Sequence, residues 1–178
     1  QDDETLFYEA SERRLMAEAS YRLPALHVVN SRPLATHLRD AHALDVDEAL
    51  ILAPRIAVPD TVPLRGPGDP LRVIVYGRPS VGRNLFPTAL RGIAMWEAAR
   101  RAAGATTPVE VVSVGEPEQF RYRIGERLVV TPGVLSWDDY LALLATAHLG
   151  VSLMASPHPS YPPLEMAASG LVVVTNRW

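Results

Sequence analysis

The chain has no cysteine and no lysine among its 178 residues. Without cysteine there can be no disulfide and no thiolate-held metal. Without lysine, a site that usually takes lysine has to take arginine; all 17 basic residues are arginine. Charge of one sign is also scarce, with a formal net charge of −3. That leaves no electrostatic case for nucleic acid as a main partner. No apolar run approaches the length needed to span a bilayer. The first residues, Gln1-Asp2-Asp3-Glu4, are polar and acidic, unlike a secretory signal, and read as if the chain opens in mid-protein.

What is present suits a soluble globular core: 48% hydrophobic and 21% charged residues. Residues 9–21 have helical periodicity. Leu26–Asn30 reads as a short buried strand, and Ser31 as the N-cap of a helix from Arg32 to about Ala43. Ala49–Pro54 is another short apolar run. Pro54 to Pro70 is rich in proline and glycine and reads as a connector.

A regular series follows. Strands are expected at 72–76, 109–114, 128–130, 149–154 and 171–175. Helices are expected from Asn84 to about Ala103, from Ser136 (as cap) to about Ala147, and from Pro162 to Ser169. Near-continuous Val, Ile and Leu strands alternating with helices imply a parallel sheet covered on both faces. The expected fold class is therefore α/β, a Rossmann-like doubly wound sheet. Such sheets bind ligands at the carboxyl ends of their strands. The chain stops at Trp178 just past a strand, so the sheet is expected to be truncated there.

Three loops at those ends could carry chemistry. The first, Gly77-Arg78-Pro79-Ser80-Val81-Gly82-Arg83-Asn84, flanks a glycine-containing turn with two arginines that can grip a diphosphate. A helix start near Asn84 would add backbone amides. A plain surface loop with solvated arginines is the competing reading. The second runs from Ser156 to Glu165 and holds four prolines. Pro162 and Pro163 suit a helix first turn. Ser160 and Tyr161 stand just before it, and Glu165 stands where a carboxylate could take paired sugar hydroxyls or simply favour the helix dipole. His158 is either a turn residue or a sugar contact. The third, Thr131-Pro132-Gly133-Val134-Leu135, offers only backbone groups to a base. Ser113 and Gly115-Glu116 could lie under the base or ribose. Cations on one loop, with hydroxyls and a carboxylate on another, match the two needs of a nucleoside diphosphate.

These residues resemble family 4 glycosyltransferases of the GT-B type. The likeness rests on SYPPLEMAASG (160–170) followed by an apolar strand, and on Gly77-Arg78 with a second basic residue, Arg83, five positions on, where the family usually has lysine. Within that family the segments QDDETLFY, YGRPSVGRNLF and PHPSYPPLEMAASG are most similar to the WsaF-like rhamnosyltransferase branch, and the likeness runs from Gln1 to Asn176.

The resemblance implies two Rossmann-like domains facing a cleft. Residues 1–45 would be the tail of the N-terminal, acceptor-binding domain, and 46–178 the donor-binding domain. It implies transfer of a sugar from a nucleoside-diphosphate donor, dTDP-rhamnose in that branch, to a glycan acceptor held by the absent domain. Arg78, Arg83 and Glu165 would be catalytic. Gly77, Asn84, Val134, Leu135, His158, Ser160, Tyr161 and Pro162 would line the donor site. No metal and no resident cofactor are expected, and the isolated piece is expected to be inactive. A cytoplasmic enzyme is implied, with any contact at the inner membrane left to the absent half. The sequence departs from the family at Pro157, where many members carry a glutamate eight residues before the one matching Glu165. A non-catalytic nucleotide-binding module and a sugar-nucleotide epimerase remain as alternatives. A phosphorylase of this fold would need a cofactor lysine.

Overall fold

The structure, a computed structural model, describes residues 1–58, 65–66, 68–124, 127–158 and 160–177. Much of the expected Pro54–Pro70 connector, Pro159 of the second loop and the terminal Trp178 lie outside the described residues. The chain divides into two compact units: Gln1–Arg55 with Met154–Ser160, and Ile56–Leu153 with Tyr161–Arg177.

The first unit starts with a 3-10 turn over Glu4–Phe7, capped by Asp3, whose carboxylate accepts from Thr5 N. Helix α1 spans Glu12–Ser20 and is capped by the Ser11 hydroxyl. Helix α2 spans Arg32–His42, and the Ser31 side chain accepts from Leu34 N, as the cap pattern predicts. It ends at Ala43, which has a left-handed φ of 52°. Leu34, Ala35 and Leu38 of α2 pack with Val29, Leu44 and Val46 in a small apolar cluster. The strand expected over Leu26–Asn30 is not formed. Only a single parallel bridge joins Val29 to Ile51, through Val29 N to Leu50 O at 3.1 Å and Leu52 N to Val29 O at 2.7 Å. Leu26 and Val28 are exposed, so the run lacks the burial that would extend the pairing.

The second unit is one mixed sheet with helices on both faces. Its elements in chain order are β1 Leu71–Tyr76, α3 Phe86–Ala102, β2 Val109–Val114, β3 Arg121–Ile124, β4 Arg127–Val130, α4 Trp137–Ala145, β5 Leu149–Ser152, α5 Tyr161–Ala168 and β6 Val172–Val174. The strand order is β3-β4-β2-β1-β5-β6. Every pairing is parallel except β3 with β4. This is the Rossmann-like α/β class expected, with an antiparallel edge strand that the sequence reading lacks.

Alternation along β1 sends side chains into two cores. Val73 and Val75 pack with Phe86, Ala89 and Ile93 of α3. Ile74, with Tyr76 beside it, packs with Leu144 of α4 and Met166 of α5. The chain therefore winds from β1 through α3 on one face, and from β4 through α4 to β5 on the other. Both helix starts follow local chemistry. The Ser136 hydroxyl accepts from Asp139 N at 3.1 Å to cap α4. Helix α3 begins two residues later than expected, because Gly82–Asn84 forms a 3-10 turn and Leu85 takes a left-handed φ of 48°.

Candidate functional site

β1 lies between β2 and β5, and the helices that follow β1 and β4 cover opposite faces. The winding direction thus reverses between β1 and β5. In an open α/β sheet the crevice outside the carboxyl ends at such a reversal is where ligands bind. Loops ending β1, β2 and β4 leave the sheet at this edge, and α5 follows β5.

The β1 loop is held in several ways. Gly77 N donates to Val114 O at 3.0 Å, so the chain leaves the sheet tied to β2. A Cβ at Gly77 would stand 2.1 Å from Phe86 Cδ2, so the backbone fits against the first residue of α3 only because that position is glycine. Val81 N donates to Arg78 O at 2.8 Å and closes a turn. The Ser80 hydroxyl donates to the Glu116 carboxylate at 2.9 Å. Glu116 is 5% exposed. It therefore fastens the arginine loop from below; the sequence reading had placed it under a base or ribose. Arg78 and Arg83 are half-buried and Asn84 is buried. Among the described residues, no acceptor meets the buried Nε of Arg78.

Helix α5 carries the candidate carboxylate. It starts at Tyr161, so Tyr161 sits in the first turn, not ahead of it, with Pro162 and Pro163 where no amide donor is needed. Met166 is fully buried, and a Cβ at Gly150 of β5 would come within 2.6 Å of its sulfur, so α5 presses directly on β5. Glu165 is half-buried. Burial raises its carboxyl above the usual range, and the nearby Tyr140 hydroxyl opposes this as a hydrogen-bond donor. Burial likewise pushes the Tyr140 hydroxyl well up, and the Glu165 and Tyr76 charges add to that. Among the described residues no group meets the buried Tyr140 oxygen in full hydrogen-bond geometry. Tyr76 ends β1, immediately before Gly77-Arg78, and Tyr76 and Tyr140 both pack against the core cluster that holds Met166 of α5.

Val134 is exposed and Leu135 half-buried in the β4 loop, where Gln119 Nε2 already donates to Pro132 O at 3.1 Å. His158 and Ser160 fall in the segment that clusters with the first unit. There Asn30 Nδ2 lies 2.5 Å from His158 Nε2. The Ser156 hydroxyl bonds to the Asp2 carboxylate and accepts from His158 N at 3.2 Å.

The sequence model of the family described as WsaF, C-terminal domain, matches residues 71–178. The chain belongs to this family. It is also 34% identical, over 187 aligned positions that cover all of it, to the O-antigen biosynthesis protein RfbC of Myxococcus xanthus. The chain spans 14% of that protein's length.

In this WsaF C-terminal domain the matched segment begins at the first residue of β1 and takes in every strand of the sheet. One contributor to the site escaped sequence reasoning. Tyr140 sits in WDDYLALLA, where an aromatic at helical spacing reads as core. Glu116 was singled out by its position at a strand's carboxyl end, but its bond to Ser80 was not legible there. Among the described residues no helix is long and apolar enough to cross a membrane.

Proposed function

We propose that this domain binds the nucleoside-diphosphate-sugar donor of a glycosyltransferase, with dTDP-rhamnose as the donor. The observation that supports the reading is that the arginine loop follows β1 and the Glu165 helix follows β5, the two adjacent strands at the sheet's winding reversal. Arg78 and Arg83 take the diphosphate. The unmet Nε of Arg78 suits an anion acceptor. Glu165 accepts a hydrogen bond from the 3′-hydroxyl of the donor's deoxyribose, and its half-buried position strengthens it. Gly77 and Asn84 hold the loop, Tyr161 and Pro162 open the helix beside it, and Val134 and Leu135 meet the base through backbone groups.

In the transfer step the leaving nucleoside diphosphate gains negative charge. Arg78 and Arg83 offset that charge by fixed guanidinium donors, which stabilises the transition state more than the ground state. The acceptor is a glycan held by another part of the protein, and the relative's role in O-antigen biosynthesis favours a polysaccharide. Such an enzyme works in the cytoplasm, where its donor is available, with membrane contact made outside this stretch.

Calorimetric titration of this chain with dTDP, dUDP, UDP and GDP tests the reading. Binding is expected, tightest for dTDP. Arg78→Ala is expected to weaken it by about 10- to 100-fold, the value of a charge-assisted hydrogen bond. No heat from any of the four at roughly millimolar ligand overturns it.

A further inference from the structure

The first unit holds a side-chain cluster that the donor-site reading does not use. Asp3, His37 and His42 bring one carboxylate oxygen and two imidazole nitrogens within 4.8 Å of one another. Nε2 of His37 and Nε2 of His42 both lie 2.8 Å from the same oxygen, Asp3 Oδ2. The other oxygen, Oδ1, accepts from Thr5 N at 2.9 Å and from the Thr5 hydroxyl at 2.7 Å. Asp3 is 1% exposed.

We propose that Asp3, His37 and His42 form a binding site for a divalent transition-metal ion, of which zinc is the best match.

Two imidazoles and a carboxylate are a common zinc donor set, leaving a fourth position for water. Zinc–ligand bonds of about 2.0–2.1 Å in a tetrahedron space the ligand atoms by roughly 3.4 Å. The 2.8 Å separations therefore need to open by only about half an ångström. The outer groups are in place. Thr5 fixes the carboxylate through its free-facing oxygen, so Oδ2 alone is presented. The Tyr21 ring lies on His42 with centroids 4.5 Å apart, which sets that imidazole's plane.

Asp2 and Glu4 flank Asp3 in sequence, and the charges of all three act on Tyr21, so the surroundings favour a cation. A cleft of about 420 Å³, lined in part by Glu18, Arg22 and Asp40, reaches the cluster at His42. The ion would tie the segment before α1 to the end of α2. The sequence carries little signal for this cluster, since His37 and His42 match no metal-ligand motif and Asp3 is more than thirty residues away.

The test uses the untagged chain, stripped with a chelator and dialysed. Zinc titration by calorimetry is expected to give one ion per chain, a raised melting temperature and protection from proteolysis near the N-terminus. Cobalt(II) in its place is expected to give the intense visible absorption of a four- or five-coordinate ion. Asp3→Asn and His42→Gln are each expected to abolish the cobalt band. If the wild-type chain shows neither zinc stoichiometry nor a cobalt band, the cluster is a hydrogen-bond network only and the proposal fails. It fails equally if His42→Gln binds both ions as the wild type does.

Discussion

Gly77→Ala is the most direct probe of how the arginine loop is seated. The added methyl would lie 2.1 Å from Phe86 Cδ2, 2.7 Å from Cε2 and 3.2 Å from Cγ. Ordinary carbon contact is about 3.5 Å, so ring or backbone must yield by roughly 1.4 Å. The ring is 4% exposed and meets Tyr122 edge-on at 5.2 Å between centroids. It is also the first residue of α3, so it cannot swing aside without disturbing the core between α3 and the sheet. Overpacking of this kind costs about 1–3 kcal/mol, and the closeness of the clash argues for the upper half of that range. For a chain of this size the melting temperature should fall by about 4–12 °C.

A second substitution isolates the cause. Phe86→Leu removes the ring atoms in the way at a modest cost, about 1–1.5 kcal/mol. The double variant should then lie within about 1 kcal/mol of Phe86→Leu alone, well short of the sum of the two singles. Urea unfolding followed by far-ultraviolet circular dichroism measures all four proteins. If Gly77→Ala sits within about 0.5 kcal/mol of the wild type, or if the two costs simply add, the close approach is not what requires glycine here.

Three further outcomes follow from other parts of the chain. Ala43→Gly should stabilise the first unit by about 0.5–1 kcal/mol, since an exposed alanine holds a left-handed φ of 52° at the end of α2; thermal unfolding reads it. Ser80→Ala should cost about 1–2 kcal/mol by leaving the buried Glu116 carboxylate without its hydroxyl donor, and it should also weaken dTDP binding by loosening the loop, as urea unfolding and calorimetry would show. Glu165→Gln should raise stability while lowering dTDP affinity. Burial raises the Glu165 carboxyl in the folded state, so its ionisation opposes folding; the penalty is absent below the unfolded-state value and grows as pH rises through the folded one. The gain over wild type should therefore appear near about pH 8 and vanish near about pH 4, and a gain that persists in acid would refute the assigned cause.

The strands and caps were legible where a single local rule decides the outcome. β1, β2 and β5 are near-continuous apolar runs that only a doubly covered sheet can bury. Ser31 and Ser136 cap helices because their hydroxyls satisfy amides that would otherwise be unmet. The reading failed where tertiary context decides. β3 alternates Arg121, Tyr122, Arg123 and Ile124, with both arginines exposed and the two apolar residues half-buried. That is a charged edge strand, and its charge masked its period of two. Leu26–Asn30 had strand composition but no neighbour to pair with beyond one bridge. In the site, the spacing of Arg78 and Arg83 and the position of Glu165 were visible in the sequence. The position of Tyr140 and the bond of Glu116 to Ser80 were not, because both depend on which strand end the topology puts beside them.

The two elements that bear the candidate charges are seated at points where a side chain is missing. At Gly77 the chain leaves β1 against the ring of Phe86, and at Gly150 helix α5 comes down on β5 through the sulfur of Met166. The consequences differ. Phe86 is the first residue of a helix seventeen residues long, so its ring is fixed by everything that α3 packs against. Met166 ends in a flexible thioether that can turn aside. A methyl at Gly150 should therefore shift α5 slightly and be absorbed, whereas the same methyl at Gly77 has no such outlet. Positional tolerance at the Glu165 helix and intolerance at the Arg78 loop fit the role proposed for each. In the proposed donor site a carboxylate can reach a sugar hydroxyl from a small range of helix positions, whereas two guanidiniums that grip one diphosphate need fixed angles, which a rigid loop supplies.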